Sequence, residues 1–420
     1  MTTCLLAFAL ALSVAALATL LARKAGLRLG IVDQPDAFRK VHRRPIPRVG
    51  GAGVLAGFLV ATLFFLHIYP LFRGEDSAFL RGLGGAEELG LIAGALIAFA
   101  AGLMDDVRGL RPRWKLLLQA LAGLAAWAGG YSIPGISLPF GAPAISLGPL
   151  ALPLTLFWFV ACMNAVNLLD GLDGLAAGVC LFVCMTLMLT CVHLGRWTDA
   201  FLLTCFGGAL LGFLLFNFHP ASIFLGDCGS LLLGFLVAAL SLRGARKAET
   251  AVALLIPVIA LGVPIFDSTL AILRRWSRRL PISAADRQHI HHALLALGLS
   301  HKRVVLTLYA VCVGLGMMAF SIAVGRGEGV VVVMGALVVV AFVCMRMLGG
   351  VRLRDLWTRV LQDRETRLRS DEARLAVESG VQRIEAAVSQ RDLWAAFCET
   401  AEALGLDHAR LKLAGADGRT

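Results

Sequence analysis

The chain has 420 residues, of which 58% are hydrophobic and only 16% charged. A soluble domain takes roughly 25% charged residues, so a soluble enzyme, a disordered chain and a disulfide-stapled secreted domain are excluded; the composition is that of an all-α polytopic membrane protein. Thirty-nine basic against 28 acidic residues give a formal charge of +11, which in this class points to basic cytosolic loops meeting anionic lipid or an anionic substrate, not nucleic acid.

A membrane span takes about 20 mostly apolar residues, and about eleven such stretches can be read. They lie at 4–22, 50–69, 89–104, 116–131, 150–168, 174–193, 200–217, 229–242, 250–266, 304–325 and 330–348. No basic residue precedes the first run, whereas Arg23, Lys24 and Arg28 follow it. That charge order predicts a retained span with a periplasmic N-terminus.

The loops at 24–49, 105–115 and 267–303 carry most of the clustered Lys and Arg and share one side in this count. The positive-inside rule makes that side cytosolic, and an odd number of spans puts the C-terminus there too. Arg243, Arg246 and Lys247 are the exception, falling on the outer side. Residues 132–148, rich in Pro and Gly with alternating apolar positions, predict a short hairpin on the outer face.

After the transmembrane domain at 1–349 the character changes. Residues 350–420 alternate charge along a helical pattern at 353–388, with a second helix expected near 391–404, and read as a cytosolic, mainly helical tail. The ten cysteines include no Cys-x-x-Cys pair, and all but Cys398 lie in or beside apolar runs, the setting of small buried hydrophobes.

Charge within a span costs about 2.5–3.5 kcal/mol on insertion scales, so acidic groups at span ends need a reason. Asp105-Asp106 close the third span, where two adjacent carboxylates repel unless a cation offsets them. Asn164, Asn167, Asp170 and Asp173 recur every third residue and would share one helical face. Oxygen ligands of that kind suit Mg²⁺, which keeps its other positions for water or substrate phosphate. Gly226-Asp227-Cys228-Gly229 opens another span, with a helix N-cap as the ordinary role for Asp227. Arg287, His289, His291 and His292 crowd a basic loop with no cysteine near, a better match to a pyrophosphate and sugar than to zinc. The predicted topology puts all four groups on the cytosolic face, an arrangement suited to phosphoryl transfer at a bilayer surface.

The ordered set of motifs resembles the polyprenyl-phosphate N-acetylhexosamine-1-phosphate transferases (glycosyltransferase family 4) over roughly residues 1–350. It comprises Asp33-x-Pro35 with Arg39-Lys40-x-His42 and Pro45-x-Pro47-x-x-Gly50-Gly51, then Asp105-Asp106, Asn167-x-x-Asp170-Gly171-x-Asp173-Gly174, Phe224-x-Gly226-Asp227 and His289-x-His291-His292. The resemblance implies transfer of a sugar-1-phosphate, in most members N-acetylglucosamine-1-phosphate, from a UDP-N-acetylhexosamine to undecaprenyl phosphate at the cytosolic face of the bacterial inner membrane, with release of UMP. By the same resemblance Asn167 and Asp227 would ligate Mg²⁺, with Mn²⁺ as a substitute. Asp105 or Asp106 would orient or deprotonate the acceptor phosphate, and Asp170 and Asp173 would position the nucleotide and metal shell. Phe224 would stack near uracil, Lys115 would contact phosphate, and Arg287, His289, His291 and His292 would hold the sugar and phosphates.

The His-Ile-His-His pattern is nearer the UDP-GlcNAc branch than the phospho-N-acetylmuramoyl-pentapeptide branch, which has three contiguous histidines. An ion-coupled transporter is the non-enzyme alternative and would place its carboxylates near the bilayer midplane. The reading allows a homodimer.

Overall fold

The computed structural model describes residues 2–34, 45–73, 83–136, 145–245, 298–324 and 389–403, with scattered positions at 262–295 and 377–384. The chain divides into two compact units, Met1–Leu348 and Gly349–Thr420.

The first unit is a helical bundle. Its described helices are α1 (Thr2–Leu29), α2 (Gly51–Leu63, continued by a π-turn at Phe64–Ile68), α3 (Pro70–Arg73), α4 (Gly85–Arg108), α5 (Pro112–Ala128), α6 (Ala151–Leu169), α7 (Leu175–His193), α8 (Trp197–Asn217), α9 (Gly226–Ala245) and α10 (His301–Val324). Among the described residues, eight helices are long and apolar enough to cross a membrane. The protein is thus a multi-pass membrane protein. Helix α5, with 17 residues, falls just below that length. The expected spans at 250–266 and 330–348 lie outside the described residues.

Two short antiparallel pairings join helices. Val32–Asp33 (β1) pairs with Ile46–Pro47 (β2) between α1 and α2. Gly135–Ile136 (β3) pairs with Ile145–Ser146 (β4), as the alternation at 132–148 predicts.

Small residues set the packing. Ala7, Ala11, Ala15 and Thr19 form a buried stripe on α1, while Leu5, Leu17 and Leu21 on the same helix are exposed, the pattern of one lipid-facing and one protein-facing side. A Cβ at Gly212 of α8 would lie 2.4 Å from the Leu12 carbonyl, so that helix pair meets backbone to backbone. Helix α9 is apolar and buried almost throughout its length, packed on α2, α4, α6 and α7, as expected of a helix hydrophobic all round.

Arg243, expected as a stray outer-side charge, is buried. Its guanidinium pairs with Asp199 of α8 and Glu87 of α4, so it does not behave as a topogenic loop residue. Glu87 and Asp199 lie in the first turns of their helices, where the macrodipole favours acids.

In the second unit, α11 (Gln390–Ala403) carries an ion pair from Glu399 to Arg383 at 2.7 Å and a Trp394–Phe397 ring stack at 5.8 Å. Most of the expected helix at 353–388, and residues 404–420, lie outside the described residues.

Candidate active site

From α4 to α9 helix polarity alternates, and the C-termini of α4, α6 and α8 meet the N-termini of α5, α7, α9 and α10 at one end. Glu87, Asp199 and Arg243 occupy the opposite helix ends. The polar residues of the first end form two connected groups.

The first group centres on Lys115. Pro112 starts α5 at a position where its missing N–H costs nothing, and Lys115 then points into the bundle in the first turn. Its Nζ lies 2.7 Å from Asp105 Oδ2, 2.5 Å from Asp227 Oδ2 and 3.4 Å from Asn167 Oδ1. One ammonium is therefore held by oxygens from three other helices, α4, α6 and α9. Asn167 Nδ2 donates to Asp227 Oδ1 and to Ser230 Oγ, each at 2.8 Å. Asp105 is fixed further by the Leu110 amide, which donates to its Oδ1 at 2.6 Å.

Asp106 turns the other way. Its Oδ1 accepts the Asp227 amide at 3.1 Å and its Oδ2 the Cys228 amide at 2.9 Å. It thus caps α9 from another helix, the ordinary role that an aspartate at position 227 would take within its own. Asp227 is thereby left to face Lys115 and Asn167. Arg48 Nη2 donates to the Asp106 carbonyl at 2.6 Å, with Nε 3.8 Å from Asp106 Oδ1. Gly226 makes this junction possible: its φ is +73°, and a Cβ there would lie 2.1 Å from the Arg48 carbonyl.

The second group is the turn after α6. The expected four-residue helical face holds only for Asn164 and Asn167. The helix stops at Leu169, Asp170 is its C-cap, and Asp173 sits in the turn that Gly174 closes at φ +78°. Packing around Asp170, followed by the negative charges of Asp227, Asp106 and Asp173, pushes its carboxyl up to about 8. Asp173 Oδ2 meets His219 Nδ1 at 2.7 Å and accepts the Ala221 amide at 3.1 Å, while the Asp173 amide donates to His301 Nε2 at 3.3 Å. The Gly174 amide donates to Asn217 Oδ1 at 3.0 Å, and Tyr309 Oη donates to the Gly174 carbonyl at 2.5 Å.

Asp173, His219 and His301 offer ligand atoms within 4.8 Å of one another. The two imidazoles, however, are stacked at 4.7 Å with planes 13° apart. Parallel rings do not aim their in-plane lone pairs at one point, so this group reads as a hydrogen-bonded latch between the α6–α7 turn, the α8–α9 loop and α10.

Phe224 is half-buried in that α8–α9 loop, where its amide donates to the Pro47 carbonyl at 2.7 Å and its carbonyl accepts from Gly50 at 3.0 Å. Arg287, His289, His291 and His292 lie outside the described residues. Arg48, Asn217, His219 and His301 are polar contributors that motif reading missed. Arg48 stands at an open position inside the Pro45-x-Pro47-x-x-Gly50 motif, and the other three belong to no recognised motif, their site partners lying 43 (Asn217–Gly174), 46 (His219–Asp173) and 128 (His301–Asp173) positions away.

The donor set around Lys115 is all oxygen, carboxylate and carboxamide, and already encloses one cation. Such ligands suit a hard divalent ion and do not suit a soft one.

Residues 89–245 match glycosyl transferase family 4. The chain is 39% identical over 305 residues to a probable undecaprenyl-phosphate N-acetylglucosaminyl 1-phosphate transferase of Bacillus subtilis, covering 73% of this chain and 81% of that protein. The chain belongs to glycosyl transferase family 4. Another relative is the decaprenyl-phosphate N-acetylglucosaminephosphotransferase of Mycobacterium tuberculosis, 35% identical over 74% of this chain and 81% of the relative. The undecaprenyl-phosphate alpha-N-acetylglucosaminyl 1-phosphate transferase of Yersinia pestis is 31% identical over 69% and 76%. The family match includes Asp105, Lys115, Asn167, Asp170, Asp173, His219 and Asp227, while Arg48, His301 and Tyr309 lie outside it.

Proposed function

We propose that this family 4 member transfers N-acetylglucosamine-1-phosphate from UDP-N-acetylglucosamine to a polyprenyl phosphate such as undecaprenyl phosphate, at the cytosolic face of the bacterial inner membrane. An oxygen of the lipid phosphate bonds to the sugar-bearing phosphorus as the bond from that phosphorus to the bridging oxygen breaks. The electron pair leaves with UMP, and the product is a polyprenyl-diphosphate sugar. The observation that carries this reading is the Lys115 ammonium enclosed by Asp105, Asn167 and Asp227, joined to relatives named for this reaction.

Both substrates are polyanions, so the site must supply positive charge as well as position. Asn167 and Asp227 would hold Mg²⁺, or Mn²⁺ in its place, which neutralises phosphate charge when bound. Lys115 sits where its ammonium can pass from carboxylate to phosphate oxygens. Asp105 faces the same centre and orients the acceptor phosphate, which is already ionised at neutral pH and needs no base to attack. Asp106 keeps the α9 N-terminus in place. Asp170 and Asp173 position the nucleotide, Phe224 stacks on uracil, and Arg287, His289, His291 and His292 hold sugar and phosphates. The acidic residues described lie at helix ends, which favours this chemistry over an ion-coupled transporter with midplane carboxylates.

The test uses purified protein with undecaprenyl phosphate and radiolabelled UDP-N-acetylglucosamine. Lipid-soluble label and UMP should form with Mg²⁺ and not with EDTA. Labelling from UDP-N-acetylmuramoyl-pentapeptide alone would reassign the donor, and no lipid product from either would overturn the reading.

A further inference from the structure

Helices α5 and α6 meet in successive rungs. The rung at the site is Lys115 with Asn167. One turn deeper, Asn164 Nδ2 donates to Gln119 Oε1 at 2.7 Å, and Gln119 Nε2 returns a longer bond to Asn164 Oδ1 at 3.4 Å. Asn164 Nδ2 also donates to the Val160 carbonyl at 2.8 Å. Deeper still, Gly123 lets the helices close, since a Cβ there would stand 3.1 Å from Phe159 Cβ.

Gln119 is 0% exposed. Burying amides is costly unless they bond one another, and two leucines would fill the same space without that condition. The amides carry no net charge, so the reciprocal bridge contributes direction instead of field. It fixes how far α5 slides and rolls against α6, and Lys115 lies four residues from one partner, Asn167 three from the other.

We propose that Gln119 and Asn164 are positioning residues whose amide bridge holds Lys115 and Asn167 at the spacing that receives a divalent cation with its diphosphate. This rests on the functional reading above and gives Asn164, grouped by its sequence spacing with the oxygen ligands, a positioning task shared with Gln119.

The experiment compares wild type with Gln119→Leu, Asn164→Leu, the double leucine variant and the reciprocal swap Gln119→Asn/Asn164→Gln. For each purified protein it measures kcat, KM for UDP-N-acetylglucosamine and the Mg²⁺ requirement, and separately Mn²⁺ binding by electron paramagnetic resonance. The leucine variants should lose roughly 10- to 100-fold in kcat or ion affinity, the usual cost of removing groups that orient ligands, with KM for the donor little changed. The swap, which keeps an amide pair of the same total length, should recover much of the loss.

Leucine variants with wild-type kcat and Mn²⁺ affinity overturn the proposal. So do variants that yield less folded protein but are normal per molecule, because that marks a merely structural role. A wild type that binds Mn²⁺ but transfers no sugar-phosphate sinks the functional reading alone, and the Mn²⁺ comparison still decides this one. A wild type that does neither overturns both.

Discussion

The carboxylate of Asp106, near the end of α4, accepts the amide of Cys228 in the first turn of α9 at 2.9 Å. With the neighbouring Asp227 amide it ties two helix ends together, so adjacent aspartates perform different tasks: Asp106 builds the corner and Asp105 faces the polar centre. Asp106→Ala should leave two amides without acceptors and cost about 1–3 kcal/mol, read as a lower Tm in detergent. Asp105→Asn should keep Tm near wild type and lose activity by roughly 100-fold, the scale of removing one positioned polar group.

Lys115 bridges Asp105 and Asp227, whose carboxylates also touch each other. In Lys115→Met the two carboxylates face each other with no ammonium between them, so the metal-free protein should melt earlier and Mg²⁺ should raise its Tm more than it does in wild type, by mass action on the folded state. Transfer activity should fall sharply. Thermal scans with and without Mg²⁺ check both halves; an unchanged Mg²⁺ response would remove Lys115 from the cation site.

The Asp170 carboxyl, held near 8 against an ordinary value of 3.8, gives a pH signature. Between those values the folded state keeps a proton that the unfolded state has lost. Stability of the metal-free protein therefore falls as pH rises through that window. A divalent cation favours the ionised carboxylate, so its stabilising effect should grow with pH. A fixed Mg²⁺ concentration should give a larger Tm increase at about pH 8 than at about pH 6, and Asp170→Asn should flatten the difference.

At the far end of the bundle, Arg243→Met should remove the guanidinium that Glu87 and the buried Asp199 share. Breaking one side of a buried ion pair costs about 3–5 kcal/mol. Combining it with Glu87→Gln and Asp199→Asn should restore much of the stability, and activity per folded molecule should stay near wild type in both. Melting curves with turnover normalised to folded protein are the check.

Hydropathy alone located the described long helices, because a lipid environment demands long apolar runs. The motifs containing Asp105, Asn167, Asp170, Asp173 and Asp227 were also visible, because acids at span ends are costly enough to stand out. Relationships across the bundle were not. Capping of α9 by Asp106 joins residues 121 and 122 positions apart, and no local pattern encodes it. The expected span at 150–168 matches the end of α6, but the shared helical face was carried too far: the three-residue spacing continues past Leu169 while Gly171 and Gly174 turn the backbone away. Arg243 looked like a topology signal because its partners, Glu87 and Asp199, are 156 and 44 residues distant. His219 and His301 gave no signal singly and acquire meaning only when stacked beside Asp173.

Gly102 presses against α9 so closely that a Cβ would lie 2.2 Å from the Asp227 carbonyl. The polar centre therefore has one wall set by backbone contact: no residue larger than glycine fits at 102 unless the two helices move apart. Adaptation to a bulkier sugar must come from elsewhere than the α4–α9 seam, which stays the fixed datum from which every variant is built.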